Sequence, residues 1–286
     1  MRAFEYLEPA TLAEASALLY RSGGRASVLA GGTDLLVQIK ESHRQPAQVI
    51  NIKKIPGMDV LAFDPAEGLR IGALVTTREA ETSYAVRRHY ASLARAVTDF
   101  ASIQVRNRAT VVGNVCRASP SADSLAPLIA DRASVHLYGL QGSRAMLVED
   151  FVKGPGKTAL EPDELVSRIT IPAPAPHTGK AYIKHGRRVQ MELATVGVAV
   201  SVTVERGQCA DIGIVLAAVG PTPIRARRAE AVLRGHAPSD ALVLQAAHAA
   251  MEDARPISDV RASADYRREM VSVLTRRAIA QALETL

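Results

Sequence analysis

Two stretches of this 286-residue chain carry residue types that could hold an anion with little formal charge. The first is LAGGTDLLVQIK (29–40), where Val28, Leu29 and Ala30 run into Gly31 and Gly32, then Thr33, Asp34 and Leu35. The second is ATVVGNVCRASPSAD (109–123), where Thr110, Val111 and Val112 run into Gly113 and Asn114, with Ser119 and Asp123 beyond. Glycine lets the backbone approach a ligand closely, and successive N–H groups in a turn make a concave anion site. Thr33, Thr110 and Ser119 add uncharged hydroxyl donors, and Asp34 and Asp123 could accept hydrogen bonds from a polyol. Facing each other, the two stretches would cradle a diphosphate joined to a polyol, with little need for Lys or Arg. Each alone is better explained by a tight turn; taken together, a dinucleotide-like ligand and a pair of plain turns both stay open.

Thr11-Leu12-Ala13-Glu14 is a capping-box pattern that opens a helix to about Tyr20. Residues 27–30 and 49–52 predict short strands, giving a β-α-β alternation in the first fifty residues. Strands are predicted at 69–73, 111–115 and 134–138, and helices at 90–100, at 124–130 and after a Thr76 cap with Glu79 three residues on. Three prolines in IPAPAPHTGK (171–180) deny ladder donors and mark a linker or domain boundary. Beyond it, 195–204 and 209–219 form a plausible hairpin through Glu205-Arg206-Gly207-Gln208, followed by helices at 224–233, 239–251 and 264–283. Strands first and helices afterwards indicate an α+β domain.

Composition excludes several classes. The 48% hydrophobic and 22% charged residues are ordinary for a globular protein. No apolar run reaches the roughly 20 residues of a membrane span. The N-terminus has no apolar signal region and carries Glu5 early, which predicts a cytoplasmic chain. Cys116 and Cys209 suit a reducing compartment and are too few for an iron–sulfur cluster, and with seven scattered His, no H-x-x-x-H pair and no C-x-x-C, no metal site is expected in this chain. The net charge of +6 is dispersed and only 4% of residues are aromatic, with no Trp, so no nucleic-acid partner is expected. KGPGKT (153–158) fails as a P-loop because Phe151 stands where the leading glycine is needed. The G-x-G-x-x-G and G-x-S-x-G patterns are absent, and no catalytic side chain is nominated.

LAGGTDLLVQIK and TVVGNVCRASPSADSLAPL together resemble the paired flavin-binding signatures of the FAD subunit of molybdenum hydroxylases, the family of carbon monoxide dehydrogenase and xanthine dehydrogenase. FEYLEPATLAEASALL, GPGKTALEPDELVSRITIP, YIKHGRRVQMELATVGVAV and GPTPIRARRAEAVL extend the resemblance, in order, over nearly the whole chain. It implies an α+β fold: a two-part FAD-binding domain of the PCMH type, with a small β-α-β subdomain (1–55) and a larger α+β subdomain (56–175). A C-terminal α+β domain (176–286) with a small antiparallel sheet and helices would follow. Residues 28–35 would wrap the diphosphate, and Thr110, Val111, Val112, Gly113 and Asn114 would form the second loop. Phe100 and Ala101 would approach the cofactor from the preceding segment, and Ser119 and Asp123 from the small-residue loop. Leu165 or Val166 would give an apolar contact, and Lys184 would lie near the flavin ring. On residue type alone, Phe100 and Leu165 are core packing and Lys184 is a solvated strand residue.

The chain departs from the family at Val112, where the second loop usually has glycine. A β-branched residue takes φ > 0 only at high cost, so an extended backbone or a shifted loop is expected there. The implied activity is electron relay: FAD takes electrons from [2Fe–2S] clusters and passes them to an external acceptor. The implied partners are a large subunit with a molybdopterin-type molybdenum cofactor and a small [2Fe–2S] subunit, assembled as a dimer of heterotrimers. The rivals are a free-standing FAD-dependent oxidase or reductase and a non-catalytic binding module. Replacing Gly31 and Gly32 together by Val should abolish FAD retention, because the side chains would fill the diphosphate space.

Overall fold

The computed structural model describes residues 2–189 and 191–286; Met1 and Gln190, the latter inside YIKHGRRVQMELATVGVAV, lie outside it. The chain is α+β. It opens with β1 (Glu5–Leu7), α1 (Leu12–Ser22), β2 (Ala26–Leu29), α2 (Leu35–Lys40) and β3 (Gln48–Asn51), whose strands form a parallel sheet in the order β1-β3-β2. Thr11 caps α1 by accepting from the Glu14 N–H at 3.1 Å, but the Glu14 carboxylate reaches back to Ala10, one residue before the cap.

The middle of the chain holds β4 (Leu61–Asp64), β5 (Gly68–Gly72), α3 (Thr77–Thr82), α4 (Tyr84–His89), α5 (Ala91–Thr98), α6 (Ile103–Arg106), α7 (Val111–Arg117) and α8 (Leu125–Ala130). There follow β6 (Ser134–Gly139), β7 (Gly142–Leu147), α9 (Val148–Phe151), a small hairpin of β8 (Val152–Gly154) and β9 (Lys157–Thr158), and β10 (Leu165–Ile171). An antiparallel sheet runs β4-β5-β10-β6-β7. The Thr76–Glu79 capping box at α3 forms as read. One apolar core runs from Ala15 and Leu19 on α1 through Ile71, Leu93, Leu128 and Val135 to Ile169, spanning both sheets.

Pro172, Pro174 and Pro176 separate β10 from β11 (Thr178–His185). The buried hydroxyl of Tyr90 donates to the Pro172 carbonyl at 3.0 Å, which ties this stretch to α5. β11, β12 (Val196–Glu205), β13 (Gln208–Ala217) and β14 (Ile224–Arg225) make a second antiparallel sheet, backed by α10 (Arg227–Leu233), α11 (Asp240–Asp253) and α12 (Ala264–Leu283). The β12–β13 turn places Arg206 and Gly207 at φ 50° and 77°, the twist a two-residue hairpin requires. Ile224 and Arg225 pair with Leu216 and Val215, so the helix expected from 224 begins only at Arg227. Val198, Val200, Ile212 and Ile214 of this sheet pack on Ala246, Leu274 and Ala278 as a second core. Buried Lys180 on β11 meets Asp131 at the end of α8 at 2.5 Å, joining the two cores. Among the described residues no helix is long and apolar enough to cross a membrane.

Candidate functional site

A cavity of about 890 Å³ opens between the turn after β2, α7, the segment after α5, and β10. Its size falls at the upper end of ligand pockets, which span about 300 to 1,000 Å³. The first wall begins where the parallel ladder stops at Leu29. Gly32 sits at φ 79°, which a side chain disfavours. Gly31 is required by a close approach: an added Cβ would stand 2.0 Å from the Arg108 carbonyl oxygen. The two walls thus touch backbone to backbone. The expectation for Gly31 needs a different reason: what lies against its missing side chain is the chain itself. Among the described residues, none accepts a hydrogen bond from the backbone N–H of Gly32, Thr33, Asp34 or Leu35, and all four residues line the cavity.

The second wall is helical where a strand is predicted. The Thr110 hydroxyl accepts from the Gly113 N–H at 2.9 Å and so caps α7. Val111, Val112 and Val115 are all buried, at the i, i+1, i+4 spacing of one helix face. Val112 therefore takes a helical backbone with negative φ, neither extended nor left-handed, and needs no glycine there. Backbone bonds from Thr77 to Ala109 (2.8 Å) and from Val111 to Val75 (3.1 Å) fix where α7 starts. Behind it the Ser124 hydroxyl donates to Asn114 Oδ1 at 2.6 Å and orients that amide.

Phe100 and Ala101 enter from the segment after α5. The Arg106 guanidinium, ion-paired with buried Glu81 at 2.9 Å, donates to the Phe100 carbonyl at 2.9 Å and the Ala101 carbonyl at 3.3 Å. Ala101 is held at φ 43°, a strained position for a non-glycine residue on the cavity edge. Leu165 and Val166, at the start of β10, supply apolar lining; a register shift follows between Val166 and Arg168.

Two of the acids that line the cavity, Asp123 and Asp34, lie in opposite settings. Asp123 is buried; its Oδ1 accepts from the Tyr182 hydroxyl at 2.9 Å and its Oδ2 from Lys184 Nζ at 2.9 Å. Burial pushes its carboxyl above the ordinary carboxylate range, and Lys184 and Tyr182 pull it part of the way back. The same burial, with the Asp123 charge, pushes the Tyr182 phenol well up. Lys184 also donates to the Asp99 carbonyl at 3.1 Å, so β11 clamps the segments before and after α7 together. Asp34 is about half exposed; its Oδ1 accepts from Arg117 Nε at 3.0 Å and its Oδ2 from Gln38.

Of the expected site residues, seventeen line this one cavity: Val28, Ala30, Gly31, Gly32, Thr33, Asp34, Leu35, Phe100, Ala101, Thr110, Val112, Gly113, Asn114, Ser119, Asp123, Leu165 and Val166. Leu29 turns away into a small core with Ile39 and Val49, and Val111 into the main core. Lys184 stands one side chain back, behind Asp123. Four contributors go beyond the residues expected from sequence. Tyr182 holds Asp123, Arg117 spans to Asp34, and Gly156 and Thr158 of the rejected P-loop line the cavity. The alternate spacing of Tyr182 and Lys184 on one strand face was a usable signal.

This arrangement suits a dinucleotide with a diphosphate: N–H groups unpaired among the described residues beside a glycine edge, hydroxyls flanking them, and an apolar floor. Comparison with known proteins agrees. Residues 2–174 match the model of the FAD binding domain in molybdopterin dehydrogenase, and residues 180–282 match the CO dehydrogenase flavoprotein C-terminal domain. The putative xanthine dehydrogenase FAD-binding subunit of Escherichia coli K12 is 31% identical, covering 97% of this chain and 95% of its own. The carbon monoxide dehydrogenase medium chain of Hydrogenophaga pseudoflava is 34% identical, covering 96% of each. A solved structure of carbon monoxide dehydrogenase from that organism, lacking the Mo-pyranopterin moiety, superposes with a TM-score of 0.95 at 36% identity, over 99% of this chain and 98% of that one.

Proposed function

The chain belongs to the family of FAD-binding subunits of molybdopterin dehydrogenases, and from that premise we propose that it is the electron-relay subunit of a molybdenum hydroxylase, holding FAD in the cavity between the Gly31-Gly32 turn and α7. It is an oxidoreductase subunit with FAD as cofactor. The observation that carries the site assignment is the row of backbone N–H groups at Gly32 to Leu35, without partners among the described residues, that lines one cavity with Thr110 and Gly113.

FAD, when bound, would supply the redox chemistry of a relay between the [2Fe–2S] clusters of a small partner subunit and an external acceptor. The residues of this chain bind and tune. The Gly32–Leu35 N–H groups and the Thr33 and Thr110 hydroxyls hold the diphosphate. Phe100, Leu165 and Val166 exclude water from the ring systems. Asp123 carries a buried carboxyl held in place by Lys184 and Tyr182, so it tunes the local field without touching the first wall. No side-chain nucleophile is required. Residues 1–55 and 56–175 make the two FAD-binding parts and residues 176–286 the C-terminal domain. A large molybdenum-binding subunit oxidises the substrate upstream, and the assembly is a cytoplasmic dimer of heterotrimers.

The test is to purify the chain alone and co-expressed with its genomic neighbours, record visible spectra, and identify the chromophore released on denaturation. Released FAD with co-purifying iron and molybdenum is the expected result. Turnover by the lone chain would favour a free-standing flavoenzyme. A colourless chain in both preparations, with no thermal shift on adding FAD, would leave only a binding module.

A further inference from the structure

We propose that Arg117 is a diphosphate ligand, and that its ion pair with Asp34 at the cavity mouth exchanges for a contact to phosphate when the dinucleotide enters. The inference rests on the FAD reading above and adds to it a residue and a switch. Arg117 is the last residue of α7 and is followed by Ala118 at φ 49°, whose N–H bonds the Val115 carbonyl, so the helix end that carries it is fixed. Its side chain lines the cavity and crosses to a residue 83 positions earlier, with Nε 3.0 Å from Asp34 Oδ1.

Three features make this pair exchangeable. Both side chains are about half exposed, at 45% and 51%, so solvent screens the attraction and weakens it. Among the described residues the Arg117 Nη1 and Nη2 groups donate to none, so the guanidinium keeps donors in reserve for a planar, bidentate partner. Asp34 retains a second partner, Gln38, when Arg117 leaves. Gly156 borders the guanidinium, and an added Cβ there would stand at ordinary contact distance, 3.5 Å from Nη1.

Charge gives the direction. Asp34 belongs to the same glycine turn whose free N–H groups face the cavity, so phosphate bound there lies beside a carboxylate. Arg117 is positioned to neutralise either. Left alone, Asp34 repels the anion; freed of Asp34, Arg117 attracts it. Disrupting the one ion pair from its two ends must therefore shift affinity in opposite senses, which a purely structural bridge would not do.

The experiment titrates FAD, ADP and riboflavin into the flavin-depleted full chain, following flavin fluorescence or ADP competition. Arg117→Gln should weaken FAD and ADP at least tenfold and leave riboflavin, which has no phosphate, within twofold of wild type. Asp34→Asn should tighten FAD threefold or more. Arg117→Lys, which keeps the charge, should lie between wild type and Arg117→Gln. If Arg117→Gln and Asp34→Asn weaken FAD alike, or Arg117→Gln weakens riboflavin as much as FAD, the inference is overturned. Should Arg117→Gln fail to fold, the Asp34→Asn and Arg117→Lys arms still decide. A wild-type chain without affinity for FAD would instead sink the functional reading itself.

Discussion

At Gly31 an added side chain would meet the Arg108 carbonyl oxygen at 2.0 Å, main chain that cannot turn aside; at Gly113 it would meet the Thr110 hydroxyl at 2.7 Å, which can. The carboxylates of the same two walls divide the other way. Asp34 shares its charge with a half-exposed arginine, whereas Asp123 is buried with Lys184 and Tyr182. The first wall is therefore rigid in backbone and loose in charge; the second is tolerant in backbone and fixed in charge. A cavity that must grip an anion and also hold its shape can assign each task to a different wall.

The sharpest way to break this contrast is at the acids. Asp123→Ala leaves Lys184 buried with a single backbone carbonyl, and removing one partner of a buried pair costs about 3 to 5 kcal/mol. Asp34→Ala should cost under about 1 kcal/mol, as exposed pairs do. Equal losses in the urea midpoint would erase the distinction. At the glycines, Gly31→Val should cost about 3 kcal/mol by overpacking against backbone, and Gly113→Ala about 1 kcal/mol, the worth of the Thr110 cap. Circular dichroism melts of the two variants would check the order, and a Gly31→Val chain as stable as wild type would refute the backbone contact.

Proton linkage gives a smaller test. Because the Asp123 pKa is raised in the folded chain, its contribution is full below the ordinary carboxylate pKa of about 3.9 and is lost as pH rises through the folded value. The stability gap between wild type and Asp123→Asn should thus shrink on going from pH 4 upward. A gap that widened would contradict the assigned burial. The phenols of Tyr182 and Tyr90 are likewise pushed up, chiefly by burial. Their contribution is intact below about pH 10 and fades above it, so phenolate absorbance from these two residues should appear only with unfolding.

Local signals carried much of this architecture. The Thr76–Glu79 box, the Glu205–Gln208 hairpin and the long C-terminal helix are written in adjacent residues, and they formed where read. Residues 111–115 were misread because a valine-rich run suggests a strand, while the deciding features, the Thr110 cap and the i, i+1, i+4 burial, favour a helix. β7 escaped notice because its Arg144 and neighbours are mostly exposed and show no alternation. At the site, the two glycine stretches were visible as candidates, but their reason was not: the Gly31–Arg108 contact joins distant segments. Lys184 is legible only through family resemblance, and the role of Arg117 is hidden because its partner lies 83 residues away.

That separation also sets a timetable. The first wall leaves the ribosome well before the segment it must lean on, and at about 5 to 20 residues per second the Asp34 turn waits roughly 4 to 17 seconds for Arg117 to emerge. During that interval Gly31 has no carbonyl to rest against, and the cavity has one side. Cofactor capture is thereby confined to a late stage of synthesis, after residues far along the chain have arrived, and a ribosome stalled before α7 would display a half-site unable to close on flavin.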